Sequence, residues 1–150
     1  MLSMRKMQKE DIEVLYDIAL RSFQADFEKY GVYPPLIKVK SKSFLPPKIF
    51  GRTFLVDDTI IGGAFVVGLG NKGEIGAIFI DTPHQHKGYG KQAMLMIEKL
   101  YPKVKRWKLD TPAENHELHR FYEGLGYVKT REMVDEKSGL RGFVYEKNIK

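Results

Sequence analysis

Residues 85–90 combine glycines and a basic side chain, as loops that bind an anion against the main chain do. They read Gln-His-Lys-Gly-Tyr-Gly and lie between a short apolar run and a segment with helical periodicity. The first turn of a helix leaves backbone N–H groups without intrahelical partners, and a phosphate can bind them. Gly88 and Gly90 let a phosphate approach the main chain, while Lys87 and Lys91 add positive charge. The loop therefore predicts a phosphate site at the start of a helix, although its spacing fits neither a dinucleotide fingerprint nor a P-loop.

A second stretch, residues 115–127, combines a helix cap with aromatic side chains. Asn115 is a good N-cap residue, and the segment ends at Gly126. Phe121 and Tyr122 recur with neighbouring leucines at helical spacing, as the buried face of a helix does. This pattern alone makes Tyr122 a packing residue. Its hydroxyl is also a proton donor with an ordinary pKa of about 10, so a packing role and a chemical role are both open.

Together the two stretches resemble the GNAT N-acetyltransferase superfamily. The first matches the loop pattern Gln or Arg, two residues, Gly, any residue, Gly or Ala. The second matches a motif in which Asn precedes a helix that carries Phe-Tyr and ends in Gly-Phe or Gly-Tyr. The resemblance covers nearly the whole chain and is weakest over residues 32–50. It implies a GNAT-like fold, acetyl-coenzyme A as co-substrate, and transfer of the acetyl group to a primary amine by direct attack in a ternary complex.

The resemblance also implies roles for individual residues. It places the general acid that protonates the departing thiolate at Tyr122, and it implies that a backbone N–H near Ile80 polarises the thioester carbonyl. Asn115 would contact the pantetheine arm or the acyl group. The implied cofactor-binding residues are Phe79, Ile80, Gln85, His86, Lys87, Gly88, Tyr89, Gly90, Lys91, Asn115 and Phe121.

The attacking amine must lose a proton, so the reaction needs a base or an ordered water chain. Glu74 lies eleven residues before Gln85, the spacing at which protein-acetylating members of the family carry a catalytic glutamate. Strand alternation places it on one face with Ile78 and Ile80. An acidic residue at a strand start is usually just solvated, and Asp110, at the end of a predicted fifth strand, is the alternative base.

The sequence lacks the residues that several other kinds of site and reaction require. The chain has no cysteine, which excludes disulfides, thiolate zinc sites and a cysteine nucleophile. A ternary complex is therefore favoured, although a Ser or Thr relay stays open. The four histidines do not match the paired helical ligands of a zinc hydrolase, so no metal is expected. They are His84, His86, His116 and His119.

The remaining segments predict one α/β domain over residues 1–150, with a mixed, mostly antiparallel twisted sheet of about seven strands flanked by helices. In residues 74–81 the odd-numbered and the even-numbered positions, which point to opposite faces of a strand, are both mostly apolar. This pattern predicts a central strand covered on both faces. A helix follows from Tyr89 to Leu100, before Pro102. The other predicted elements are a strand over 2–7, a helix over 11–29 closed by Gly31, a hairpin over 52–56 and 60–67, a strand over 104–109, a helix ending at Gly126, and a hairpin over 127–134 and 140–146.

Two local features complete this prediction. Strands two, three and four are expected to form an antiparallel meander, with a bulge or close backbone approach at Gly62 and Gly63. Residues 32–50 carry two Pro-Pro pairs and four lysines without an acid. They predict a loop with a short helix, whose lysines are a solvated surface, and the resemblance places it over the acceptor pocket.

The length and net charge of the chain limit the classes of partner that it is expected to bind. A net charge of +6 over 150 residues fits nucleic acid or a small polyanion such as coenzyme A. A basic nucleic-acid-binding module is therefore one alternative function. The sequence has no recognition-helix or aromatic RNA-binding pattern, so nucleic acid is not the expected partner. No apolar run approaches about 18 residues, so no membrane partner and a cytoplasmic location are expected. The expected acceptor is a small-molecule amine or a protein amino group, bound by a monomer or homodimer. A non-catalytic acyl-coenzyme-A sensor is the other alternative.

Overall fold

The computed structural model describes residues 1–30, 51–136 and 139–149. Within them seven strands form one sheet, which three α-helices flank. The strands are β1 (Leu2–Lys6), β2 (Gly51–Val56), β3 (Thr59–Leu69), β4 (Lys72–Ile80), β5 (Arg106–Pro112), β6 (Val128–Val134) and β7 (Arg141–Asn148), and the helices are α1 (Ile12–Tyr30), α2 (Tyr89–Leu100) and α3 (His116–Gly124). The helix end predicted at Gly31 and the loop predicted over 32–50 lie outside the described residues.

The strand order across the sheet is β1-β2-β3-β4-β5-β7-β6. Neighbouring strands are antiparallel, except that β4 and β5 run parallel. This arrangement confirms the predicted mixed α/β fold, the meander of β2, β3 and β4, and the C-terminal hairpin. The bulge or close backbone approach predicted at Gly62 and Gly63 takes the second form, because a Cβ on Gly62 or Gly63 would lie within 3 Å of a backbone carbonyl oxygen of the neighbouring strand. The β2–β3 register shifts beside them, at Ile61.

Two apolar clusters lie on opposite faces of the sheet. Side chains of α1, including Leu15 and Phe23, pack with Phe79 of β4. Residues of α2 and α3 pack on the other face with Trp107 and Leu109 of β5. Trp107 and Leu109 therefore share one face of β5.

A bulge at Gly76 changes the alternation of side chains along β4. In the pairing with β3, Ala77 lies opposite Phe65 and Ile75 lies opposite Val66, so Gly76 is an extra residue. Ile75 and Ile78 consequently pack in the same cluster. The predicted common face of Glu74 with Ile78 and Ile80 is wrong, because the extra residue reverses the alternation between them.

The bulge separates a more exposed first half of β4 from a covered second half. Glu74 and Gly76 are exposed, whereas every residue from Ala77 to Ile80 is buried or half-buried. Coverage on both faces, predicted for the whole strand, is therefore wrong for its first half. The covered half is the part that enters the site.

Candidate active site

The site begins where β4 and β5 stop pairing. Their parallel register runs from Lys72 with Arg106 to Ile75 with Leu109 and ends there. Strand β4 continues to Ile80, while β5 stays paired with β7 as far as Pro112. The two strands therefore diverge beyond the bulge and leave a gap inside the sheet.

The turn after β4 is tied to both the strand and α1. The side chain of Asp81 accepts hydrogen bonds from the Thr82 backbone N–H at 2.9 Å and from Arg21 of α1 at 2.9 and 3.1 Å. These bonds, led by the one from Arg21, hold the pKa of Asp81 below its ordinary value. The side-chain Nε2 of Gln85 donates to the Ile80 carbonyl at 2.8 Å. The first residue of the predicted phosphate loop is thus fixed to the end of the strand.

The loop enters α2 through two residues with left-handed backbone conformations. Gly88 is the N-cap of α2, with a left-handed φ of +84°, and His86 has a φ of +63°. A Cβ on Gly88 would meet nothing within 4 Å. A Cβ on Gly90 would lie 3.3 Å from Phe121 Cζ, so α2 and α3 approach each other here. The helix begins at Tyr89, as its apolar spacing predicts.

A cavity of about 700 Å³ lies between this loop and α3, and we name it the loop-side cavity. Most of the residues predicted to bind the cofactor line it. They are Phe79, Ile80, Gln85, His86, Gly88, Gly90, Lys91, Asn115 and Phe121. Lys87 and Tyr89 are not among its lining residues. The Phe79 ring packs against Phe23 in the α1 cluster, with ring centroids 6.1 Å apart.

A second cavity of about 310 Å³ lies between the diverging strands and the β6–β7 hairpin, and we name it the strand-side cavity. Gly76 of β4 and Asp110 of β5 line it. Glu74, the base predicted from spacing, is exposed and lines neither cavity. The structure therefore brings Asp110, and not Glu74, to the gap.

Five of the described residues line both cavities, and among these five Tyr122 carries a proton-donating side chain. The five are Phe23, Ile78, Pro112, Leu118 and Tyr122. Tyr122 is 4% exposed and packs against the ring of Phe121 at a centroid distance of 5.1 Å. Both interpretations of Tyr122 thus agree with its position, because it is buried in the core and borders the two cavities.

Helix α3 is held in place at its start by two side chains. Asn115 is buried, and its Oδ1 accepts a hydrogen bond from the Leu118 backbone N–H at 3.2 Å. The Nε2–H of His119 donates to the Pro112 carbonyl at 2.9 Å. These bonds fix α3, and with it Tyr122, against the end of β5.

Two other buried tyrosines contact Tyr122 but are bound to carboxylates. Burial and a hydrogen bond to Glu123 raise the pKa of Tyr145 to about 12. Burial and the neighbouring Glu98 raise the pKa of Tyr127 as well. Neither tyrosine lines a cavity, so their hydroxyls are structural.

Residues 12–127 match the model of the Acetyltransferase (GNAT) family. The chain belongs to the GNAT acetyltransferase family. No curated protein sequence matches this GNAT chain. Many solved structures do, and three of them span nearly the same length.

The first is a PaiA N-acetyltransferase from Thermoplasma acidophilum in complex with coenzyme A, with 22% identity, a TM-score of 0.77 and 99% of each chain covered. The second is the ribosomal-protein-S18-alanine N-acetyltransferase from Escherichia coli, with 14% identity, a TM-score of 0.77, and 100% of this chain and 95% of that chain covered. The third is Ard1 from Thermoplasma volcanium, with 18% identity, a TM-score of 0.75, and 99% and 98% covered. At these identities the likeness establishes the shared fold.

Phe23, Thr111 and Glu114 are among the residues of this GNAT site that were not predicted as site residues. Phe23 lies on the predicted first helix, and its place in both cavities follows from long-range packing. Thr111 and Glu114 line the strand-side cavity. A signal existed for these two, since both lie between Asp110 and Asn115, which were already candidates.

Across residues 1–30, 51–136 and 139–149, no three His, Asp or Glu side chains are grouped so that they could hold a metal ion. In the same ranges no helix is long and apolar enough to cross a membrane.

Proposed function

We propose that this GNAT protein transfers the acetyl group of acetyl-coenzyme A to the amine of an acceptor, by direct attack in a ternary complex. One observation carries the proposal: Tyr122 borders both the loop-side and the strand-side cavity. A cofactor in the first cavity and an acceptor in the second would meet beside its hydroxyl. The family and the coenzyme A complex of the Thermoplasma acidophilum protein support the choice of cofactor.

In this proposal the cofactor follows the loop and the gap. Its pyrophosphate lies on the amides of residues 85–90, at the start of α2, with Lys87 and Lys91 nearby. Its pantetheine arm, which contains two amide groups, lies in the gap where β4 has no pairing with β5. The thioester then reaches the end of the gap next to Tyr122.

The chemistry needs one proton donor and one proton acceptor. The neutral amine attacks the thioester carbonyl, a C–N bond forms and the C–S bond breaks. A backbone N–H near Ile80 stabilises the oxygen that gains charge. Tyr122 gives its proton to the departing sulfur, which leaves as the free thiol of coenzyme A.

The proton of the amine goes to a base in the strand-side cavity, directly or through water. Asp110 lines this cavity, and its position supports it as that base. The assignment of Glu74 as the base is a prediction from the spacing found in related proteins. Its position does not support that role, because it lies on the exposed half of β4.

Replacing Tyr122 with Phe tests the proposal, with Tyr127→Phe as the matched control. Tyr122→Phe keeps the ring, so we expect the maximal rate to fall by roughly 10²–10⁴, with little change in coenzyme A affinity or melting temperature. Tyr127 is equally buried and its hydroxyl contacts Glu98. Tyr127→Phe should keep the rate and lower the free energy of unfolding by about 1 kcal/mol.

The assay is the release of coenzyme A with a panel of amines, measured beside cofactor binding by calorimetry. Wild-type turnover in Tyr122→Phe would make Tyr122 a packing residue. Binding of acetyl-coenzyme A without release for any amine would instead support the sensor function.

A further inference from the structure

The loop-side and strand-side cavities meet at a junction that four different elements of the fold enclose. The five described residues that line both cavities come from α1, β4, the end of β5 and α3, and we name them the junction residues. They are Phe23, Ile78, Pro112, Leu118 and Tyr122. In the proposed reaction the acyl group passes from the cofactor to the acceptor at this point. The junction residues would therefore surround the acyl group.

The junction is apolar apart from one hydroxyl. Four of the five junction residues have apolar side chains, and Tyr122 adds its phenol. Charged residues of the described lining, such as Lys91 and Asp110, border one cavity each and do not reach the junction. An apolar lining favours the hydrocarbon part of an acyl group over water. The remaining question is how long a hydrocarbon part it admits.

Phe23 closes the junction from the α1 side. Its ring is 7% exposed and packs edge-on against Phe79, with ring centroids 6.1 Å apart. Phe79 in turn contacts the ring of Phe65 at a centroid distance of 6.2 Å, and all three rings belong to the cluster between α1 and the sheet. Leu118 and Tyr122 enclose the junction from the other face. Because packed neighbours hold the Phe23 ring, it is a fixed wall of the junction.

We infer that Phe23 limits the length of the acyl group on the bound cofactor, so that acetyl fits the junction while butyryl and longer groups do not. This inference rests on the proposed function. Extra methylenes in a well-packed apolar site force the neighbouring side chains to move, which opposes binding. In an open apolar site each buried methylene would instead tighten binding about fourfold. The two cases predict effects of opposite sign.

Coenzyme A thioesters of increasing length test the inference by binding alone. Acetyl-, butyryl- and hexanoyl-coenzyme A are titrated by calorimetry into the whole chain without an acceptor. We expect the wild type to bind the two longer thioesters about 5- to 100-fold more weakly than acetyl-coenzyme A. Phe23→Leu replaces the ring with a smaller side chain and should remove most of this preference.

Phe65→Leu is the matched control. Phe65 is 4% exposed and packs against the same Phe79 ring, but it lines neither cavity. Phe65→Leu should therefore lower the melting temperature about as much as Phe23→Leu and keep the wild-type preference for acetyl. Phe23→Met, which is closer to Phe in volume, takes the place of Phe23→Leu if that variant does not fold.

The outcomes separate this inference from the proposed function. Butyryl-coenzyme A that binds the wild type as tightly as acetyl-coenzyme A, a preference that persists in the Phe23 variant, or an equal loss of preference in Phe65→Leu would each overturn the inference. Coenzyme A release is then measured with the same thioesters and the panel of amines. A preference for acetyl in binding, without release from any thioester, would overturn the proposed transfer and leave the length limit at Phe23 standing.

Discussion

The side chain of Gln85 and the backbone carbonyl of Ile80 are joined by a hydrogen bond of 2.8 Å. This bond connects the start of the phosphate loop to the last residue of β4. The Gln85 side chain therefore positions the loop, and we expect the loop to bind phosphate through its backbone.

Gln85→Met removes this donor while keeping the length of the side chain. One lost hydrogen bond predicts that coenzyme A binds about 2- to 10-fold more weakly. Gln85→Arg, which keeps a donor, should retain most of the affinity. Gln92→Met, an exposed change on α2, is the control, and calorimetry compares the three. Equal affinity in Gln85→Met and Gln92→Met would contradict the positioning role.

Gly88 and Gly70 allow a matched test of the phosphate loop. Both have a left-handed φ, +84° and +63°, and open space where a Cβ would stand. Asn tolerates this conformation better than most residues. Gly88→Asn should therefore fold and weaken coenzyme A binding at least tenfold, because its side chain would occupy the phosphate position.

Gly70→Asn, in the β3–β4 turn, should lower stability to a similar extent and leave coenzyme A affinity unchanged. Thermal unfolding and calorimetry are run on both variants. A folded Gly88→Asn variant with wild-type affinity would remove the phosphate site from this loop.

Asp110 and Glu74 are distinguished by the pH dependence of turnover. Asp110→Asn should lower kcat/KM by roughly 10² near neutral pH, and by less at high pH, where the acceptor amine is already deprotonated in solution. Glu74→Gln should follow the wild-type profile, since Glu74 lines neither cavity. The reverse result would assign the base to Glu74, and two wild-type profiles would indicate a water chain.

Asp11 makes the stability of the fold depend on pH. Burial acts to raise its pKa, but hydrogen bonds from Arg5, Gln8 and Thr53 outweigh burial and hold the pKa below the ordinary value of 3.8. The unfolded chain therefore binds this proton more readily. The stabilisation is fully present above the ordinary value and is lost as pH falls through the lowered one. The free energy of unfolding of Asp11→Asn should change less between about pH 5 and 2 than that of the wild type.

The same ion pair can be tested at neutral pH. The Asp11 side chain is 3% exposed and accepts bonds of 2.5 and 2.9 Å from Arg5. Arg5→Met should lower the free energy of unfolding by about 1.5–3 kcal/mol in urea. The exposed pair of Arg141 with Glu132 is the comparison, and Arg141→Met should cost less than about 1 kcal/mol. Equal losses would show that burial of Asp11 adds nothing.

Local patterns carried enough information to predict most elements of the fold. The apolar run into a glycine loop and the 3.6-residue spacing from Tyr89 located β4 and α2 within two residues. The insertion of β7 between β5 and β6 was not predicted, because strand order depends on long-range packing. The bulge at Gly76 was also not predicted. In a strand whose odd and even positions are both apolar, one extra residue does not interrupt any visible alternation.

The site was predictable where its motifs are continuous in sequence. The loop and Asn115 could be found in this way, and so could Tyr122 as a candidate. Phe23 could not, because its place in both cavities depends on long-range packing. The position of Glu74 outside both cavities also needed three dimensions, since the bulge changes which residues of β4 face the gap.

The divergence of β4 from β5 places a sheet edge inside the molecule. An edge on the surface can pair with another protein chain and is a site of aggregation. From Gly76 to Ile80, the β5 side of β4 instead opens into cavities that Phe23 of α1 and Tyr122 of α3 also line. Because this edge of β4 faces cavities, it is not presented to a second protein chain in the way that a surface edge is. The sheet is thereby protected at this point from edge-to-edge association.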